Sequence, residues 1–288
     1  VKKDLLGKKV LIGNGATVED IDPVRYISNY SSGKMGNELA LCAKRRGADV
    51  KVVCGKVNSD YRKLGIEYID VKTNEDMYNS IKENFDEADI LIMPAAPVDF
   101  KVKNKKDFKI KKTENFENIE LENNVDILKS ISEHKKSQFV VGFAAETNSV
   151  KDYAISKMSN KNLDMIVAND VSLKDSGFGS DFNKVTIITK ESEIETEVLT
   201  KREIADKILY DKKLNYEVVA FLNVYGTVSF RSKNNIDVSE IAKKLGMIVG
   251  YSGGGHKHAS GCRICDRDEM KKKMMEIFEH SMNKIKIL

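Results

Sequence analysis

The run DPVRYISNYSSGKMG, from Asp22 to Gly36, gathers residue types that could do chemistry: Arg25, Asn29, Ser31, Ser32, Gly33 and Lys34. Ser31 or Ser32 can cap a following helix, and the free amides of such an end favour an anion. Lys34 adds charge. Taken alone, Ser-Ser-Gly also reads as an ordinary N-cap. Asn29 is neutral and can both donate and accept. A neutral donor suits an acyl intermediate whose carbonyl oxygen gains charge.

Three further groups could act with this run. Lys157 and Lys161 are one helical turn apart and share a face. They read as a solvated basic face or as a seat for a triphosphate, with Lys109 as a third point charge. Lys109 belongs to KVKNKKDFKIKK, Lys101–Lys112, which has no core-forming period. Charge alone reads it as a solvated loop. Its place after a buried strand also suits a basic lid over phosphates. Asp99, at the tip of that strand, could take a ribose hydroxyl or a metal. The turn GNGAT is only a partial glycine motif: Val18 stands where the third glycine belongs, and no helix opens directly after it.

The elements that must position these residues alternate. KVLIG, ADVKVVCG, IEYIDV, ADILIMPAA, QFVVGFAAE and LDMIVAND read as strands. Helical spacing covers Ser32 to Arg46, TNEDMYNSIKENF (capped by Thr73 or Asn74), SVKDYAISKMSNKN and KREIADKIL. The fold class expected is α/β, a Rossmann-like, mostly parallel sheet flanked by helices. Near Tyr210 the pattern changes. Two strands around a turn at Tyr225-Gly226, a short helix DVSEIAKKLG, a glycine-rich loop GYSGGGHKHASGCRI running into a strand, and a terminal helix make a small α+β C-terminal domain. The domains expected are 1–210 and 211–288, with the boundary at about Asp211 to Asn215.

The chain has 288 residues, 41% apolar and 32% charged, and its charge balance of 48 − 44 gives +4. That is too mild to imply nucleic-acid binding. No long uncharged apolar run predicts a membrane helix, and the opening residues lack a signal peptide's apolar core. Cys42, Cys54, Cys262 and Cys265 do not make a disulfide framework, which favours a cytoplasmic setting. His256, His258, Cys262 and Cys265 have zinc-ligand chemistry, but their spacing is shorter than a finger or ribbon, and a strand there would turn the two cysteines to opposite faces.

EDIDPVRYISNYSSGKMG, MPAAPVDF, KIKK, NNVDIL, VVGFAAETNSV, KMSNKNLDMIVAND and FGSDFNKV occur in that order. Over roughly Asp4 to Leu209 they closely resemble the phosphopantothenoylcysteine synthetase family, the phosphopantothenate–cysteine ligases of coenzyme A biosynthesis. The resemblance implies CTP as co-substrate, Mg2+ or Mn2+, an acyl-cytidylate intermediate, and cysteine as the amine that completes the product. It implies catalytic roles for Asn29 and Lys109. Nucleotide contacts carry over to Met93, Pro94, Ala95, Asp99, Lys109, Val125, Asp126, Ile127, Leu128, Phe143, Lys157 and Lys161. Arg25, Ser31, Ser32, Gly33 and Lys34 form the substrate-binding set. Family members are homodimers. The opening DLLGKKVLI resembles the junction of bifunctional forms, which implies a flavin-dependent decarboxylase upstream. The sequence departs from the family in GNGAT, in Val125 where proline is usual, and in Phe100 for tyrosine.

From about Asn215 the chain resembles instead the substrate-binding domain of DHH-family phosphoesterases. Arg231, Gly253, Gly254, Gly255 and His256 match the residues that grip phosphate there. The Asp-His-His metal motif of the catalytic half is not present in the sequence, so a substrate-binding part lacking its catalytic domain is the alternative function. A short oligonucleotide is the one nucleic-acid partner that this resemblance implies, at that domain. A pyridine-nucleotide or flavin protein fits less well, because the second strand, VKVVCGK, ends without a ribose-binding acid. A nucleotide-binding regulatory module is the non-enzymatic reading.

Overall fold

A computed structural model of the chain describes residues 3–58, 62–63, 65–111, 118–146, 150–170, 179–210, 218–222, 227–232, 253–256, 259–263 and 285–287. It divides into two compact units, Val1–Tyr210 and Asp211–Leu288.

In the first unit β1 (Lys9–Asn14) is followed by a hairpin, β2 (Val18–Asp20) and β3 (Tyr26–Ser28). Helix α1 (Lys34–Arg45), β4 (Asp49–Cys54), β5 (Glu67–Asp70), α2 (Asn74–Phe85) and β6 (Ile90–Met93) come next. A second hairpin, β7 (Phe100–Val102) and β8 (Leu121–Asn123), leads into α3 (Ile127–Ser132), β9 (Phe139–Glu146), α4 (Val150–Asn160) and β10 (Met165–Asp170). The unit closes with β11 (Phe182–Asn183), β12 (Val185–Thr189), β13 (Glu193–Glu195), β14 (Leu199–Thr200) and α5 (Lys201–Leu209).

Eight of these strands form one sheet in the order β13-β12-β10-β9-β6-β1-β4-β5. Six run parallel, while β12 and β13 pair antiparallel at one edge. The central strands are near-continuous apolar runs because helices cover both of their faces. Ile12, Leu91, Ile92 and Ile166 are fully buried there. The chain leaves β1 towards β4 and β5, then returns to the other side of β1 with β6. The strand order therefore reverses between β1 and β6, and a crevice opens there above the strand ends.

Local chemistry sets the helix starts. Thr73 caps α2 in a reciprocal box with Asp76, and Thr200 caps α5 with Glu203. The head of α1 corrects the expectation of a serine cap. Its N-cap is Gly33, at φ 77, with no side-chain cap bond. Gly33 is needed there twice over: only glycine takes that φ freely, and a Cβ would meet Val57 Cγ1 at 2.3 Å. Deeper in the unit, Arg46 forks onto buried Asp4 at 2.7 Å through both Nε and Nη2. Cys42 Sγ donates to Asp206 Oδ1 at 2.7 Å, linking α1 to α5.

Over its described residues, Lys101–Lys111, the basic stretch is also more structured than the expected solvated loop. Its first residues complete β7, which pairs with β8, and Ile110 is buried.

In the second unit five strands run in the order β17-β18-β16-β15-β19, with β15 (Val218–Leu222), β16 (Thr227–Ser232), β17 (Gly253–His256), β18 (Ala259–Arg263) and β19 (Ile285–Ile287). The Gly-Gly-Gly-His stretch, expected as a loop, is strand β17. Glycine makes a poor strand by itself, but here all four residues pair antiparallel with β18. The expected turn at Tyr225-Gly226, the two expected helices and Cys265 lie outside the described residues. Among the described residues no helix is long and apolar enough to cross a membrane.

Candidate active site

A cleft of about 430 Å³ lies in the first unit, above the C-terminal ends of β1, β6, β9 and β10. Asn14, Met93, Ala144 and Asn169 are the strand-end residues that line it. The glycine turn after β1 is structural: a Cβ on Gly13 would meet Met93 Sδ at 2.3 Å. Its backbone ties the two strand ends together, Ala95 N donating to Gly13 O at 3.0 Å and Ala96 N to Gly15 O at 2.9 Å.

The hairpin β2–β3 brings Asn29 to the rim. Ser28 Oγ donates to Thr17 O at 2.8 Å. Asn29 Nδ2 donates to the carbonyls of Ala96 and Pro97 at 3.1 and 3.0 Å. The side-chain nitrogen of Asn29 is thus engaged on the loop after β6. Beyond Asn29, Ser31, Ser32, Gly33 and Lys34 line the cleft and lead into α1.

On the opposite side Asn124 fixes the turn before α3. Its backbone N–H donates to Asp99 O and its side chain to Val98 O, both at 2.8 Å. Val125, Asp126, Ile127 and Leu128 follow as cleft residues, facing Met93, Pro94, Ala95, Asp99 and Phe143. Lys157 on α4 and Lys161, in the turn just past its end, line the same wall, and Lys161 N donates to Lys157 O at 3.1 Å. The anion they share is Asp126, whose Oδ2 is 2.6 Å from Lys161 Nζ. Burial pushes the Asp126 carboxyl up, but the Lys161 hydrogen bond, the Lys129 amide and the Lys157 charge together bring it below the ordinary carboxylate value.

Two of the expected residues stand outside the cleft lining. Arg25 sits in the β2–β3 turn, paired with Asp22. Lys109 is exposed, one residue before buried Ile110.

The sequence reading missed Lys201, Asn14, Asn74, Asn169 and Asn183, all of which line the cleft. Lys201 is 5% exposed, and its Nζ donates to Ser180 O at 2.6 Å. Burial first, then the Lys34 charge, push its ammonium down to about 8, against the pull of Asp181. Lys34 in turn donates to Gly179 O at 2.7 Å and to Asp181 Oδ1 at 2.6 Å. One signal was available: Lys201 directly follows a Thr cap, so a helix head was already legible there. Asn14 Nδ2 donates to Asn37 Oδ1 at 3.0 Å.

Among the described residues no three His, Cys, Asp or Glu side chains gather as a metal site. In the second unit Arg231 and His256 both pair with Ala259, so the three positions form one row across β16, β18 and β17. Gly253, Gly254 and Gly255 continue β17 from that row.

The family described as the DNA/pantothenate metabolism flavoprotein C-terminal domain matches residues 5–213, and the DHHA1 domain matches residues 184–284. The chain is 44% identical over 208 residues to the coenzyme A biosynthesis bifunctional protein CoaBC of Bacillus subtilis (strain 168), covering 72% of this chain and 51% of that protein. The protein of the same name from Vibrio cholerae is 41% identical over 217 residues, covering 72% and 53%. The chain therefore spans about half the length of the curated relatives it matches. A crystal structure of the C-terminal domain of a CoaBC superposes with a TM-score of 0.63 at 37% identity, covering 74% of this chain and 97% of that one.

Proposed function

The chain belongs to the DNA/pantothenate metabolism flavoprotein C-terminal domain family, and from that premise we propose that its first unit is a CTP-dependent phosphopantothenate–cysteine ligase of coenzyme A biosynthesis. The observation that carries this is the cleft at the strand-order reversal. It places a lysine pair, the uncapped head of α1 and the amide of Asn29 around one volume sized for a small-molecule ligand.

The reaction begins when the phosphopantothenate carboxylate oxygen attacks the α-phosphorus of CTP. A new C–O–P anhydride forms, the α–β phosphoanhydride bond breaks, and pyrophosphate leaves. Mg2+ or Mn2+ bound to the nucleotide would offset part of the triphosphate charge. Lys157 and Lys161 attract the polyphosphate, and Asp126 gives up part of its hold on them as it binds. The amides at the head of α1 and Lys34 supply a second anion-favouring point. Met93, Pro94, Ala95, Phe143 and the Val125–Leu128 turn wall the nucleoside. In this reading Asp99 takes a ribose hydroxyl, and Lys109, which stands outside the cleft lining, reaches the phosphates from the basic segment.

Cysteine's amine then attacks the acyl carbon, CMP leaves and the amine loses a proton. With its nitrogen spent on Ala96 and Pro97, Asn29 offers an acceptor oxygen. It suits the attacking amine's N–H better than the donor role expected from residue type alone. Donating to the acyl oxygen would require it to release one of those carbonyls.

The same reading carries a homodimer, which the exposed apolar side chains of the two hairpins, Val24, Tyr26, Phe100 and Leu121, support together with Tyr30 just beyond β3. It also carries a cytoplasmic setting and a flavin-dependent decarboxylase as the partner activity. The second unit fits a phosphate-binding module of the DHH-associated type, through Arg231, Gly253, Gly254, Gly255 and His256.

The test is pyrophosphate release with phosphopantothenate and Mg2+, with CTP or ATP, with and without cysteine. The expected result is release with CTP and cysteine-dependent formation of the amide. No release with either nucleotide overturns the ligase reading.

A further inference from the structure

Asp22 does more than close the β2–β3 turn. Its side chain is 0% exposed. Oδ1 accepts the backbone N–H groups of Val24 and Arg25, both at 2.8 Å. Oδ2 accepts Arg25 Nε at 3.0 Å, Arg25 Nη2, and the backbone N–H of Ile110 at 3.2 Å. Arg25 Nη2 also donates to the carbonyl of Ile110 at 3.0 Å. The Asp22–Arg25 pair therefore holds Ile110 by both its N–H and its C=O. A few residues earlier the same turn is gripped again: Lys106 N donates to Ile21 O at 3.1 Å, and Lys105 Nζ to Asp20 Oδ2 at 2.9 Å.

The basic segment is thus tied to the turn at Lys105–Lys106 and at Ile110, with Lys109 between the ties and adjacent to the second. We propose that Asp22, acting with Arg25, is a positioning residue for Lys109: it holds the backbone beside that lysine so that the ammonium meets the phosphates at one place. Charge-assisted hydrogen bonds are the strongest of their kind, and here several converge on one buried carboxylate. The Arg25 guanidinium holds that carboxyl well below the usual carboxylate range, so the tie stays charged at any working pH. The inference rests on the ligase reading for what Lys109 does, but not for the tie itself.

The test uses Asp22→Asn. It keeps an acceptor for the turn amides and replaces the acceptor of Arg25 and Ile110 with an amide. Limited trypsin digestion, followed by mass spectrometry, reads cleavage of the Lys109–Ile110 bond without any need for activity. The expected result is cleavage at least roughly tenfold faster, with cleavage after Arg45 unchanged. In the pyrophosphate-release assay kcat falls by roughly 10–100-fold, the scale of a small misplacement of a reacting group. In a Lys109→Ala background the same substitution costs less than about twofold, because its effect has already been removed.

Unchanged cleavage in Asp22→Asn overturns the tie. An undiminished kcat loss in the Lys109→Ala background overturns the action through Lys109. If the unsubstituted chain releases no pyrophosphate, the ligase reading falls and digestion alone decides the tie. Arg25→Lys, which keeps the charge and loses the fork, probes the same tie by digestion should Asp22→Asn not fold.

Discussion

Lys157 and Lys161 stand one turn apart, the first on α4 and the second just past its end, whereas Lys34 and Lys201 come from the heads of α1 and α5, far apart in the chain. The first pair shares Asp126 at the wall of the cleft. The second is anchored on Gly179, Ser180 and Asp181, and one of its members is almost wholly buried. The difference is one of preparation. The Lys157–Lys161 pair carries a carboxylate that, on the proposed ligase reading, an incoming polyphosphate displaces. The α1–α5 pair has charge already committed to the protein, and burial raises what it costs to keep Lys201 protonated.

Removing the Lys157–Lys161 pair should break the comparison most severely. Contacts to charged groups contribute about 1.5–3 kcal/mol each, so Lys157→Ala with Lys161→Ala should weaken CTP by roughly 100-fold or more. Isothermal calorimetry checks this, and an unchanged affinity would remove the pair from the nucleotide site. Next comes Gly33→Ala, which sets where Lys34 leaves the turn. A positive φ and the Val57 contact should together cost about 1–3 kcal/mol of stability, seen as a lower thermal midpoint; an unshifted midpoint would mean that the turn relaxes freely. The smallest effect sharpens the contrast through pH. The Lys201 ammonium sits near 8, against the ordinary 10.5. Above pH 8 the folded protein has released a proton that the unfolded chain still holds, so stability gains a rising contribution between pH 8 and 10.5. Lys201→Met should abolish that rise in denaturant titrations, and a variant whose pH profile matches the parent would show that Lys201 titrates normally.

The same contrast explains what could be read from the chain. The Lys157–Lys161 pair was visible because helical spacing alone puts two residues on one face. So were β1, β4, β6, β9 and β10, whose apolar runs are long enough to announce strands buried on both sides. Lys201 was not visible, because a lysine in the first turn of an amphipathic helix looks solvated until the rest of the fold covers it. The hairpins β2–β3 and β7–β8 escaped for a related reason. Their strands are three residues long and half exposed, and long-range bonds hold them where local pattern does not. Asn29 was recognised by type, but the engagement of its nitrogen depended on the carbonyls of Ala96 and Pro97. The serine cap failed because Gly33 met two demands that a cap side chain could not.

Among the described residues the eight-stranded sheet does not close on itself, and its margins are β5 and β13. Both are short and carry acidic side chains: Glu67 and Asp70 on one, Glu193 and Glu195 on the other. Basic partners on the protein itself, Lys51, Arg62, Lys151 and Lys184, engage these carboxylates. A foreign strand approaching either margin must meet that charge before it finds a free peptide group. The sheet is in this way guarded against stacking into aggregates at the two places where its own hydrogen-bond ladder would otherwise invite them.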